Sequence, residues 1–136
     1  MNACNPNTVL LIVHQKKSVS GHIGVLLKNL GYNLDKRCPC IGDPLPQNLE
    51  NYAAVVVFGG PMSANNCDME GIKKELDFIP DVLKLKIPFL GLCLGGQLLA
   101  RVLGAKVSPH ELGHIESGFT KVYPTKIGQD WFAESD

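Results

Sequence analysis

The chain has 136 residues, enough for one domain with one core. Hydrophobic residues make up 45% and charged residues 19%, the composition of a globular protein and not of a disordered one. Thirteen basic residues balance thirteen acidic ones, and a net charge of zero leaves no electrostatic footprint for nucleic acid or an anionic membrane. The longest apolar runs, at 9–13 and 53–58, fall far short of the about 20 residues that a membrane helix needs. Residues 2–8 carry no positive charge, which argues against a secretory signal. The five cysteines, at 4, 38, 40, 67 and 93, are odd in number and sparse, so free thiols in a reducing compartment, the cytoplasm, are expected.

In chain order, residues 9–14 (VLLIVH) form a continuous aliphatic run of strand length, suited to burial on both faces. Residues 20–30 follow with Ile23, Leu26, Leu27 and Leu30 at helical spacing and Gly31 at the C-cap position. Residues 33–37 read as a second strand, and the Pro- and Gly-rich stretch 38–47 as a loop. A buried strand at 53–58 (AAVVVF) ends at Gly59-Gly60-Pro61. Residues 69–85 are helical in pattern through Ile72, Leu76, Ile79 and Leu83, and Pro80 predicts a kink or a split into two helices. A third buried strand is expected at 88–92. A helix at 95–103 turns Leu98, Leu99, Val102 and Leu103 inward and stops at Gly104. Short edge strands are predicted at 105–107 and 118–123. The alternation of strand and helix gives an α/β class with a parallel sheet and helices on both faces. Ligands in such sheets sit beyond the carboxyl ends of the strands, which selects two loops, 59–66 and 93–96.

The sharpest motif is Gly91-Leu92-Cys93-Leu94-Gly95-Gly96-Gln97, a strand running directly into a helix with a cysteine at the corner. Glycines two before and two after the cysteine are what a strained strand-to-helix elbow requires, because side chains there would collide. The strain pushes the thiol out, and the amino end of the following helix favours the thiolate. The Leu94 N–H then lies where an oxyanion would form on a carbon attacked by Cys93. An oxyanion hole needs a second donor, and the Gly60 N–H, in the loop after the neighbouring buried strand, is assigned to it.

Together, GLCLGGQLLARVLGAKV and VVVFGGPMSANN resemble the class I glutamine amidotransferases, most of all their stand-alone, GMP-synthase-like members. Gly42-Asp43-Pro44-Leu45-Pro46 and His114-Ile115-Glu116-Ser117-Gly118 support the similarity, which runs from Val9 to Tyr123. The resemblance implies a flavodoxin-like, open, mostly parallel sheet, with residues 1–136 as a single, incomplete domain of that kind. It implies that Cys93 attacks the side-chain amide of glutamine, that ammonia leaves, and that water hydrolyses a glutamyl thioester. It gives Gln97 a part in holding the substrate glutamine. It also implies a synthetase domain or subunit that accepts the ammonia. No cofactor and no metal are expected, and no phosphate-cradling loop is present.

The sequence departs from the family in one respect. The family completes its triad with a His-x-Glu pair late in the domain, and no His-Pro-Glu signature stands before Asp136. His110 and His114, the latter with Glu116 at His-x-Glu spacing, come only about twenty residues after Cys93 and are poor substitutes for the base by analogy alone. The expectation is a reactive Cys93 with little or no glutaminase turnover. A catalytically incomplete relic or regulatory binding subunit on the same fold is the alternative; another cysteine-elbow thiol hydrolase is less compatible with Gln97 and the 59–63 loop. Cys38-Pro39-Cys40 lacks the spacing of a zinc pair. Cys4 and Cys67 read as ordinary thiols. His14, at a strand end near the expected site, reads as structural. Trp131-Phe132 is more apolar than a free tail, and self-association of the chain as a homodimer or aggregate is predicted.

Overall fold

The computed structural model describes residues 6–115 and 117–130. Aliphatic runs become central strands because a strand buried on both faces can carry apolar side chains at every position. Val9, Leu10, Leu11 and Ile12 are all buried in β1 (Thr8–Ile12), and Val55, Val56 and Val57 are buried in β3 (Tyr52–Val57). β2 (Asn33–Arg37) and β4 (Phe89–Gly91) complete a sheet ordered β2-β1-β3-β4, with every pair parallel. Charge blunts the β2 edge: the Arg37 guanidinium reaches both Asp35 carboxylate oxygens at 2.7 and 3.1 Å.

Among the described residues three α-helices cover the sheet. α1 (Gly21–Asn29) sets Ile23 and Leu27 against Val9, Leu11 and Val56 on one face. α2 (Glu70–Lys84) and α3 (Leu94–Val102) pack Ile72, Ile79, Leu94 and Leu98 against Leu10, Ile12, Val55 and Val57 on the other. This is the open, flavodoxin-like parallel sheet expected from the sequence, and the chain reverses its winding direction between β1 and β3.

Several details differ from the sequence reading. α2 is one helix with Pro80 inside it. Pro80 is exposed, so the carbonyl deprived of its N–H partner can be hydrated, while Ile79 and Val82 hold the helix to the sheet across the gap. The loop 38–47 contains a 3-10 turn at Pro39–Ile41. The third strand is not fully buried: Leu90 is 46% exposed, because β4 lies at the sheet edge and Leu90 faces the same side as Val56, one strand beyond the cluster that α1 covers. Leu26, Leu30 and Leu103 also lie outward. The edge strands expected at 105–107 and 118–123 do not form. Among the described residues nothing pairs with the outer edge of β4, and Phe119, Val122 and Tyr123 stand exposed without a ladder to join. The last described turn is a 3-10 turn at Gly128–Asp130. Cys4 and Trp131-Phe132 lie outside the described residues.

Close approach of α3 to β3 rests on Gly95, whose added Cβ would run into the Val57 backbone carbonyl. Gly95→Ala is therefore expected to cost about 1–3 kcal/mol in urea denaturation. Gly96→Ala, whose nearest neighbour would be the Gly91 carbonyl at 3.3 Å, is expected to stay within about 1 kcal/mol of the parent.

Candidate active site

Strand register brings the site together. Ile12 pairs with Val57, and Val57 pairs with Gly91. Two residues further along each chain stand His14, Gly59 and Cys93, side by side beyond the carboxyl edge of the sheet. The ladder reaches almost to them, with Phe58 N–H donating to the Ile12 carbonyl and Leu92 N–H to the Val57 carbonyl, both at 2.9 Å. A Cβ built on Gly59 would lie 3.2 Å from the Cys93 Cβ and 3.7 Å from its Sγ, so the loop after β3 lies directly against the thiol.

Cys93 has the elbow conformation anticipated from its glycines, with φ 52° and ψ −110°. The two glycines serve different contacts. A side chain at Gly91 would meet the Gly95 carbonyl at 2.6 Å, within the elbow itself, whereas one at Gly95 would strike β3. Cys93 is exposed and free, and Gln97 is exposed one turn into α3. At the start of α3 the Gly95 N–H is bonded to the Leu92 carbonyl and the Gln97 N–H to the Cys93 carbonyl, both at 3.0 Å. Among the described residues, neither the Leu94 N–H nor the Gly60 N–H has an acceptor.

The loop after β3 is held at both ends. Its far end is tied by Ser63 N–H donating to Asn66 Oδ1 at 2.7 Å, by Asn65 Nδ2 donating to the Val107 carbonyl at 2.9 Å, and by Arg101 of α3 donating to the Ala64 carbonyl. Its near end rests on His14. The imidazole lies with Nδ1 3.1 Å from the Gly59 carbonyl oxygen and Nε2 3.1 Å from Glu75 Oε2 of α2. His14 is 1% exposed and Glu75 0%. Gly60 must be glycine here, since its Cβ would fall 2.7 Å from the His14 Cβ.

Burial alone would lower the His14 pKa, but the hydrogen bond and charge of Glu75, with the Gly59 carbonyl, outweigh it and set it above the ordinary 6.5. The second Glu75 oxygen, Oε1, is buried and has no partner among the described residues. Cys40 packs on Gly71 of α2, where an added Cβ would come within 2.7 Å of the Cys40 Cα. Burial, then the Glu75 charge and Cys38, push the Cys40 thiol to about 11, so it stays protonated at neutral pH.

Of the residues singled out in the sequence, the fold brings Cys93, Leu94 and the 59–60 loop together and sets Gln97 one turn away. His110 and His114 stack on one another at 4.9 Å in an exposed segment, and neither bonds to Cys93. Glu116 lies outside the described residues. The sequence reading missed Glu75 and Arg101. Glu75 carried a faint signal: it falls three residues after Ile72 and four before Ile79, on the apolar face of its helix. A groove of about 770 Å³, lined by Pro44, Leu45, Lys74, Phe78 and Asp81 among others, includes none of the elbow residues. No helix among the described residues is long and apolar enough to cross a membrane.

Comparison with known proteins gives a consistent family. The family model for "Glutamine amidotransferase class-I" matches residues 17–126. The chain is 31% identical over 113 residues to the glutamine amidotransferase-like protein YfeJ of Salmonella typhimurium, covering 78% of this chain and 47% of that protein. It is 38% identical over 87 residues to a glutamine-hydrolyzing GMP synthase subunit of Sulfolobus acidocaldarius, covering 61% of this chain and 42% of that one. Among solved structures, a glutamine amidotransferase of Thermotoga maritima superposes with a TM-score of 0.68 at 36% identity, over 73% of this chain and 44% of that one. One from Methylobacillus flagellatus superposes with a TM-score of 0.71 at 31% identity, over 77% and 42%. The chain thus spans about half the length of the relatives it matches.

The buried pair has a pH signature. Because the folded-state pKa of His14 is raised above 6.5, its contribution to stability is complete below that value and is lost as pH rises through the folded pKa. Urea titrations across neutral pH are expected to show stability falling with rising pH in the parent and a flatter profile in the double variant His14→Phe/Glu75→Leu, which removes both partners.

Proposed function

The chain belongs to the class-I glutamine amidotransferase family, and from that premise we propose that it captures glutamine covalently on Cys93. The observation that carries this reading is the exposed cysteine at a positive-φ elbow, together with Leu94 and Gly60 backbone N–H groups that have no acceptor among the described residues. The Cys93 sulfur attacks the side-chain amide carbon. Negative charge moves to the amide oxygen, where the Leu94 and Gly60 N–H groups receive it. Expulsion of ammonia leaves a γ-glutamyl thioester, and attack of water on its carbonyl releases glutamate and restores the thiol. Gln97, one turn into α3, holds the bound glutamine. A synthetase domain or subunit takes up the ammonia, as the relation to a glutamine-hydrolyzing GMP synthase supports. The reaction as drawn needs no cofactor, and the setting is the cytoplasm.

Departure of ammonia requires a proton, and no acid is hydrogen-bonded to Cys93 among the described residues. The 136-residue chain is therefore proposed to bind glutamine and add the Cys93 thiolate to its amide carbon, with expulsion of ammonia, and hence turnover, slow or absent. This same observation favours the second reading, a regulatory binding subunit that recognises its partner without turnover.

The discriminating probe is 6-diazo-5-oxo-L-norleucine, a glutamine analogue. Protonation of its diazo carbon and attack by the thiolate form a C–S bond and expel N2. Mass spectrometry is expected to find one adduct, on Cys93, blocked by glutamine and absent from Cys93→Ala, with glutaminase turnover near background. A folded chain that takes no label would overturn the capture reading, and normal turnover would overturn the incomplete one. The homodimer is proposed to form through the β4 edge, which no strand pairs among the described residues, and the half-exposed Leu90. Light scattering is expected to report a dimer that Leu90→Lys weakens; a strictly monomeric parent would refute it.

A further inference from the structure

We infer that the buried His14–Glu75 pair is a positioning device that turns the Gly59–Gly60 peptide so that the Gly60 N–H points at the oxyanion of the Cys93 adduct. The inference rests on the capture reading and names what aims one of its two donors.

One peptide plane carries both the Gly59 carbonyl and the Gly60 N–H. No peptide bond among the described residues is cis, so the Gly59 carbonyl and the Gly60 N–H point in opposite directions. Strand order places β3 between β1 and β4. Gly59 therefore has His14 on its β1 side and Cys93 on its β4 side, as the 3.1 Å bond to His14 Nδ1 and the 3.2 Å approach to the Cys93 Cβ both report. A carbonyl held toward His14 aims the next N–H toward Cys93. Two glycines in succession have no intrinsic preference for this orientation over the flipped one. Something outside the loop has to choose, and the imidazole N–H is the group in contact.

The choice depends on proton count. Both atoms facing the ring, the Gly59 carbonyl oxygen and Glu75 Oε2, are acceptors when Glu75 is ionised. The pair must then hold a proton on each ring nitrogen. If one proton leaves, the remaining one goes to the stronger acceptor, the carboxylate, and a lone pair on Nδ1 faces the Gly59 carbonyl. The loop is then free to flip and the Gly60 donor is lost. The titratable groups around the pair are Glu75 from α2, Cys38 and Cys40 from the segment after β2, whose thiols burial and the Glu75 charge hold protonated, and Cys93 across Gly59. Of these, Glu75 is the one that raises the His14 pKa, and its Oε1 has no partner among the described residues.

The test compares two alkylation rates on the full chain. Saturating 6-diazo-5-oxo-L-norleucine places a carbonyl oxygen where the amide oxygen would lie, so its rate reads the donors. Iodoacetamide reads only the thiol, and the ratio of the two rates cancels thiolate ionisation. In the parent the ratio is expected to fall as pH rises through the His14 titration. In His14→Phe/Glu75→Leu, which exchanges the pair for apolar groups and leaves no charge buried, the maximal ratio is expected to drop about tenfold to a hundredfold, as for loss of an oxyanion donor. Melting temperature at neutral pH should be kept. In Glu75→Gln the amide can donate to Nε2 and leave the Nδ1 proton on Gly59, so the ratio is expected to be rescued and its fall with pH reduced to the slope that protonation of the diazo carbon alone imposes. A double variant with the parental ratio, or a Glu75→Gln variant with the parental pH profile, would overturn the inference while leaving the capture reading intact. A parent that takes no diazoketone label would instead remove the capture reading and this inference with it. Should the variants not fold, nitrogen-15 spectra of the parent decide: a protonated His14 Nδ1 at neutral pH is required, and a bare one would overturn the proposal.

Discussion

The site exists because three parallel strands end in register. Each strand by itself delivers an unremarkable residue pair past its carboxyl end. Pairing of Ile12 with Val57 and of Val57 with Gly91 sets His14, Gly59 and Cys93 in one row, on the face that carries α2 and α3. A slip of one residue in β3 would turn its glycine loop to the opposite face, because side chains alternate along a strand. The apolar side chains that enforce the register, Leu10, Ile12, Val55 and Val57, are fully buried. Core packing therefore acts on the chemistry through strand alignment, and none of these four side chains needs to touch a substrate.

Glycine does the complementary work of letting backbones approach. Gly95 admits the β3 carbonyl to the first turn of α3, Gly91 closes the elbow, and Gly60 lets the loop lie on the imidazole. Each contact excludes even a methyl group. Cys93, like Lys86 in the turn between α2 and β4, is a non-glycine residue at positive φ. Such a conformation costs of order 1–3 kcal/mol and survives where the surroundings over-determine it. Here they do, since the residue is pinned between a ladder bond at Leu92 and the helical bond from Gln97 N–H to its own carbonyl.

The motif and the strands that carry it were legible in the sequence for a physical reason. Aliphatic runs, glycine-flanked corners and helix stops are local signals, and residues 9–13, 53–58 and 91–97 express them without interference. What was not legible was pairwise. His14 could be placed at a strand end, but its partner Glu75 is 61 residues away on another element. A carboxylate among Ile72 and Ile79 looks like an interruption of an apolar face until the ring opposite it is known. The failed strands at 105–107 and 118–123 show the same limit from the other side. Their residues suit a sheet, yet a strand is a relation between two segments, and the outer edge of β4 has no partner among the described residues. Pro80 misled in the reverse sense: local chemistry predicted a break, and packing on both sides of it outweighed one missing hydrogen bond.

The buried pair also resists explanation as a stabilising device. Desolvating an imidazole and a carboxylate costs several kcal/mol per ion, and apolar residues of similar volume commonly do as well or better in such places. One carboxylate oxygen left without a partner makes the arrangement worse still for stability. Phenylalanine and leucine in these positions could support the loop sterically. They could not tell one face of the Gly59–Gly60 peptide from the other, because a hydrocarbon offers no donor to a carbonyl. Direction is what the imidazole adds, and direction is what an oxyanion donor must have before the charge appears. A modest electrostatic cost sunk behind the loop is thus consistent with a site whose backbone, and not only its cysteine, is prepared in advance.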